Sequence, residues 1–128
     1  MPQQSPYRVV VVGAGFGGLG MALALERAGI GNFLVLDRAD DLGGTWRDNS
    51  YPGCACDIAS VLYSYSDEQN PSWTRAFARQ PEIHAYIQDV ARRHDLARHI
   101  RYRHEVLEAA WDDDADRWQI RTTGGEFT

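Results

Sequence analysis

The chain has 128 residues, of which 44% are hydrophobic and 24% charged, and carries a formal net charge of -5. That length suits about one domain with one modest core. The acidic balance argues against a nucleic-acid partner, which would need clustered Lys and Arg to neutralise phosphates. No stretch approaches the roughly 18 consecutive apolar residues of a transmembrane helix, so no membrane span is expected.

Residues 1–7 are polar and show no basic segment followed by a cleavable apolar one, so no secretory signal is expected. Residues 8–12 contain four consecutive valines and predict a strand at the buried centre of a parallel sheet. A glycine-rich turn follows at residues 13–18. A helical pattern then begins near Phe16, runs through residues 19–28 and stops at Gly29. Residues 33–37, Phe-Leu-Val-Leu-Asp, predict a second short strand. Strand, glycine turn, helix and strand make a βαβ unit.

Residues 38–80 lack sustained periodicity. They hold Trp46, Tyr51, Tyr63, Tyr65, Trp73 and Phe77, and disordered segments are poor in aromatics, so an ordered, ligand-covering region with short helical turns is expected. Residues 81–95 predict an amphipathic helix with Ile83, Ile87, Val90 and Ala91 on its apolar stripe. Residues 100–102 suit a short strand. Residues 106–111 and 118–122 predict an antiparallel hairpin around a turn at 112–116. A second turn at Gly124-Gly125 leads into a strand at 126–128. That last strand is too short to cover its neighbour's edge, and truncation of the chain is the expectation.

The cysteine pair, Cys54 and Cys56, is too closely spaced for an unstrained disulfide. A reducing, cytoplasmic compartment is expected. His84, His94, His99 and His104 do not share a helix face with these thiols, so no metal site is expected. The acidic run Asp112, Asp113, Asp114 and Asp116 lacks the central glycine and terminal glutamate of a calcium loop and suits a solvated turn.

The strongest chemical signal is Gly13-Ala14-Gly15-Phe16-Gly17-Gly18, a G-x-G-x-x-G turn between a strand and a helix. Gly13 permits the tight turn, Gly15 leaves room for a pyrophosphate against the backbone, and Gly18 lets helix and strand pack closely. The helix N-terminus directs free N–H groups and its positive dipole end at the phosphates. Asp37 ends the next strand, where its carboxylate can accept from ribose hydroxyls and would repel a 2′-phosphate. These residues predict a dinucleotide site for FAD or NAD and leave the choice between them open.

The segment Asp41-Leu42-Gly43-Gly44-Thr45-Trp46 resembles the G-G-T-W segment of class B flavoprotein monooxygenases. Residues 49–57, Asn-Ser-Tyr-Pro-Gly-Cys-Ala-Cys-Asp, are similar to the Y-P-G-x-x-C-D segment of Baeyer–Villiger monooxygenases. Ser60, Tyr63, Ser64, residues 73–75 and residues 80–83 continue the likeness, which extends from Val9 to Gly125. The resemblance implies a Rossmann-like FAD-binding α/β domain over residues 1–128 with an appended β-hairpin or meander. That domain would be the N-terminal part of a larger flavoprotein that binds two dinucleotides.

The resemblance implies site residues by position. Gly13, Gly15 and Gly18 would hold the FAD pyrophosphate, and Asp37 the adenosine ribose. Gly44 would allow close backbone approach, and Thr45 and Trp46 would line the FAD. Tyr63 would contact FAD, and Val106 the adenine through its backbone. Asp57 would sit near the flavin and the nicotinamide cofactor and serve the reactive centre. Cys54 and Cys56 would be packing residues. Ala55 stands where many members carry arginine, which weakens this segment as an electrostatic grip on NADP.

The implied full-length enzyme uses NADPH and O₂ to oxygenate a small-molecule ketone, or a nitrogen or sulfur atom, through a peroxyflavin. The later F-x-G-x-x-x-H-x-x-x-W signature and a second glycine-rich turn are missing from this sequence, so turnover by the isolated chain is not expected. Two other classes compete. The first is another two-dinucleotide flavin enzyme, such as a disulfide reductase relative or an amine oxidase; the reductase reading predicts a C-x-x-C or C-x₄-C pair, which Cys54-Ala55-Cys56 is not. A non-catalytic module would retain FAD without oxidising NADPH.

Overall fold

The computed structural model describes residues 6–128. Three strands, β1 (Val9–Val12), β2 (Phe33–Leu36) and β3 (Ile100–Arg101), form a parallel sheet in the order β1-β2-β3. The pairing runs Val9 with Phe33 through Val12 with Leu36, and Val35 with Ile100. Every residue of β2 is buried. The reason is two-sided packing: Phe33 and Val35 join one apolar cluster, while Leu34 and Leu36 join another on the opposite face. A strand covered on both faces reads as an unbroken apolar run.

β1 departs from expectation. Its four valines are not the buried centre of the sheet. Three are only partly covered, and Val12 is 66% exposed. Among the described residues β1 pairs with β2 alone, so its other edge carries no strand. The β-branched run set its strand propensity correctly, but propensity does not fix the place of a strand in the sheet.

Helix α1 (Phe16–Arg27) connects β1 to β2 and buries Leu19, Ala22, Leu23 and Leu25 against the sheet. It ends in a two-bond lock: the Ile30 N–H donates to the Leu25 carbonyl (2.9 Å) and the Gly29 N–H to the Glu26 carbonyl (3.0 Å). This nested pair satisfies carbonyls that the helix itself leaves free, and it places the expected stop at Gly29.

The aperiodic stretch is ordered, as its aromatics suggested. A single helical turn, α2 (Thr45–Asp48), is followed by loops pinned to residues 76–80. Cys56 donates to Ala78 (2.8 Å), Gln80 to Cys54 (2.9 Å) and Ser60 to Ala76 (2.7 Å). Aromatic rings pack in series from Tyr63 through Phe16, Tyr65 and Tyr86 to Trp73, with Phe16 and Tyr65 stacked at ring centroids 4.4 Å apart. Cys54 and Cys56 are both free and buried within this packing.

Helix α3 (Gln80–Arg93) has Pro81 in its first turn and buries Ile83, Tyr86, Ile87, Val90 and Ala91. Glu82 at its start and Arg92 and Arg93 at its end oppose the helix dipole. A 3-10 turn (Leu96–His99) leads into β3.

β4 (Val106–Asp112), β5 (Arg117–Thr122) and β6 (Gly125–Phe127) form an antiparallel meander, the expected hairpin plus one strand. Trp111 and Trp118 pair edge to face at 5.6 Å. In the turn between them, Asp112 Oδ1 accepts from the Asp114 and Ala115 amides. Ile120 packs beneath Leu34 and Leu36, which joins the two sheets into one body. Among the described residues, no helix is long and apolar enough to cross a membrane, and no His/Cys/Asp/Glu group is arranged to hold a metal.

Candidate dinucleotide site

A cleft of about 370 Å³ opens at the carboxyl ends of β1 and β2. Its walls include Gly13, Gly15, Asp37, Gly44, Thr45 and Val106, together with Arg38, Arg47, Asp48, His104 and Glu105. Open α/β sheets bind ligands at this end of their strands.

The chain leaves β1 through Gly13, whose φ of +100° suits glycine and few other residues. The Gly13 N–H still donates to the Leu36 carbonyl (2.7 Å), so the turn stays latched to β2. α1 begins one residue past Gly15, which supplies no side-chain cap. The first-turn amides therefore have no intrahelical partners and lie beside the cleft.

Two glycine segments meet back to back. A β-carbon on Gly44 would lie 3.0 Å from the Gly15 Cα, and one on Gly15 would lie 3.5 Å from the Gly44 Cα. The Gly43 N–H donates to the Ala14 carbonyl (2.9 Å). The G-x-G-x-x-G turn and the Gly43-Gly44 pair thus form one cradle of bare backbone. Gly18 works one step back from it. A β-carbon there would fall 1.7 Å from the Gly13 carbonyl oxygen, so only glycine lets α1 close on the turn.

Asp37 is fixed from several sides. Oδ2 accepts from the Ala14 N–H (2.7 Å) and Oδ1 from the Ala39 N–H (2.9 Å). Arg47 Nη1 stands 3.6 Å from Oδ1. The Arg47 guanidinium also donates from Nε to Asp48 Oδ1 (2.8 Å) and from Nη1 to the Asp41 carbonyl. The hydrogen bond to Asp48, with the charges of Asp37 and Asp41 behind it, holds Arg47 above the usual guanidinium range against the opposing pull of burial. Burial, and then the charges of Asp41 and Asp37, push the nearby Tyr102 hydroxyl up.

The cleft gathers Gly13, Gly15, Asp37, Gly44, Thr45 and Val106. It does not include Gly18, Trp46, Asp57 or Tyr63. Trp46 turns inward, is 7% exposed, and donates its indole N–H to the Tyr63 hydroxyl (3.0 Å). Tyr63 packs on Phe16 at 4.9 Å. Asp57 is exposed, two residues beyond the Ala55–Arg79 bridge. Sequence reasoning missed Arg47, whose place beside Asp37 depends on how α2 folds back over the end of β2. It also missed the pairing of Gly15 with Gly44, although two separated glycine clusters were the visible signal.

The parallel βαβ sheet and the glycine cradle at its carboxyl end define a dinucleotide-binding Rossmann-like domain. A family profile described as NAD(P)-binding Rossmann-like domain matches residues 11–80, and the chain belongs to that family. Its relatives narrow the class. The chain is 54% identical over 121 residues to a Baeyer–Villiger monooxygenase of Streptomyces coelicolor, covering 94% of this chain and 23% of that protein. A solved oxidised steroid monooxygenase bound to NADP matches at 41% identity with a TM-score of 0.88, covering 96% of this chain and 24% of the other. The OTEMO complex with FAD and NADP matches at 30% identity and a TM-score of 0.84, over 97% and 25% of the two chains. The chain therefore spans about a quarter of the length of the relatives it matches, and it is related to their Baeyer–Villiger class.

Proposed function

We propose that this chain binds FAD in the cleft at the ends of β1 and β2, as the flavin-binding part of an NADPH-dependent monooxygenase of the Baeyer–Villiger type. The observation that carries this reading is the back-to-back approach of Gly15 and Gly44 beside the open N-terminus of α1. A diphosphate fits where side chains are missing and amides are free, because its oxygens need donors and close approach. Gly13 and Gly15 would hold it, Gly18 would hold the helix close enough to contribute, and Gly44 and Thr45 would wall it from the other side. Asp37 would accept from the adenosine ribose, and the Val106 backbone would meet the adenine.

Trp46 and Tyr63, hydrogen-bonded to each other, would support the FAD from behind the cleft wall. Asp57 would serve the reactive centre from its exposed position, where a nicotinamide cofactor can reach it. Bound flavin supplies the redox chemistry by which such enzymes oxygenate a ketone, a nitrogen or a sulfur atom with O₂ and NADPH. The protein's part is binding, orientation and charge. Those substrates, and NADPH itself, belong to this reading for a protein of the relatives' length, with residues 1–128 forming its FAD domain. The net charge of -5 supports small-molecule partners over nucleic acid. Two free, buried thiols support a reducing, cytoplasmic setting.

Titration of the purified chain with FAD, followed by flavin absorbance and calorimetry, tests the reading. Saturable binding is expected, and Gly15→Val is expected to abolish it by filling the diphosphate's place. Undiminished flavin retention by the folded variant would refute the assignment.

A further inference from the structure

Arg47 is a charged residue of the cleft whose function the motifs leave unassigned. Its side chain is only 15% exposed, yet it lines the same wall as Asp37. One guanidinium joins three places: Asp48 on its own helical turn, the Asp41 carbonyl in the preceding loop, and the Asp37 carboxylate at the end of β2. Asp37 in turn holds the Ala14 amide of the glycine turn and the Ala39 amide beyond β2. The Asp37–Arg47 contact therefore ties α2 to the end of β2 and, through Asp37, to the glycine turn, alongside the Gly13–Leu36 and Gly43–Ala14 hydrogen bonds.

We propose that Arg47 is a positioning residue for the adenosine half of the bound dinucleotide, acting through Asp37. The inference rests on the FAD-binding reading above. Its logic is electrostatic. A bare carboxylate beside a diphosphate would repel it across a few ångströms of low-dielectric cleft. A cation 3.6 Å from Oδ1 offsets that charge while leaving the carboxylate an acceptor for ribose hydroxyls. The planar fork matters as well as the charge, because one group must meet a carbonyl and two carboxylates at once. A lysine ammonium, a point charge on a flexible stem, reproduces the charge and not the geometry.

The test measures dissociation constants of the 128-residue chain for FAD and for ADP, for the unaltered protein and for Arg47→Gln, Arg47→Lys, Asp37→Asn and the Gln/Asn and Lys/Asn double variants. Arg47→Gln is expected to weaken FAD and ADP alike by about tenfold, the scale of one charged hydrogen-bonding contact. Arg47→Lys is expected to fall between it and the unaltered chain. In the Asp37→Asn background, Arg47→Gln is expected to add less than about twofold, because coupled residues are not additive. A merely structural arginine would weaken binding equally in both backgrounds. Unchanged affinity in Arg47→Gln, or its full effect persisting without the Asp37 carboxylate, overturns the inference while FAD binding by the unaltered chain stands. Should Arg47→Gln lose its cooperative melt, the comparison of Arg47→Lys in the two backgrounds decides the same question. No FAD binding by the unaltered chain overturns the functional reading and this inference together.

Discussion

A β-carbon at Gly18 would lie 1.7 Å from the Gly13 carbonyl oxygen and 2.8 Å from its carbon. Inside an exposed helix, glycine to alanine gains about 1 kcal/mol. Here the methyl meets main chain that is itself latched to β2 by the Gly13–Leu36 hydrogen bond, so it cannot slide aside cheaply. Gly18→Ala is therefore expected to destabilise the fold by about 2–4 kcal/mol, opposite in sign to the helix propensity. Urea unfolding checks it, and a midpoint unchanged or raised would contradict the packing argument. The turn at Gly13 and the close packing at Gly18 were legible from spacing because each follows from the lack of a side chain in a known local context. Trp46 and Arg47 were not. Adjacent on one helical turn, they diverge, with Trp46 turned toward Tyr63 and Arg47 toward Asp37, and only the fold-back of α2 decides which of them reaches the cleft.

At the scale of elements, periodicity located α1, α3 and the meander because each needs only a local pattern and one apolar face. It erred on β1, since the number of neighbours a strand has is a property of the sheet. The ordering of residues 38–80 was legible only as aromatic content; its hydrogen bonds to residues 76–80 are long-range. α3 anchors this region through Glu68, whose carboxylate meets Arg93 (2.6 Å) and His94. Burial works to raise the Glu68 carboxyl, but the hydrogen bonds from Arg93 and His94 outweigh it and hold the group below its ordinary value. A carboxylate depressed in the fold contributes stability that is present above its unfolded pKa and is lost as pH falls through the folded one. Glu68→Gln is expected to cost about 1 kcal/mol at pH 7. The gap to the unaltered chain should close as pH drops below about 4.3, the unfolded glutamate value. Unfolding curves across pH 7 to 3 measure this, and a gap that stays constant would remove Glu68 as an ionised anchor.

The whole molecule is two sheets joined by one small apolar cluster. Leu34 and Leu36 of β2 pack against Ile120 of β5, with Tyr7, Val10, Val106 and Phe127 around them. The cleft lies along this seam, with Gly13, Gly15 and Asp37 on one side and His104, Glu105 and Val106 on the other. A ligand filling it touches both halves and binds only the folded state, since unfolding separates its walls. Such a ligand stabilises by RT ln(1 + [L]/Kd), about 2.7 kcal/mol at a hundredfold excess over Kd. For a chain of 128 residues that corresponds to a rise in melting temperature of about 10 °C. FAD at that excess is expected to produce such a shift. FMN, which lacks the adenosine half that Asp37 and the Val106 backbone would hold, should produce little. Because ADP carries that half without the flavin, it should recover much of the FAD shift. If FMN stabilises as well as FAD while ADP does nothing, the ligand enters by its flavin end alone, and the adenosine subsite at the carboxyl ends of β1 and β2 has been assigned to the wrong part of the molecule.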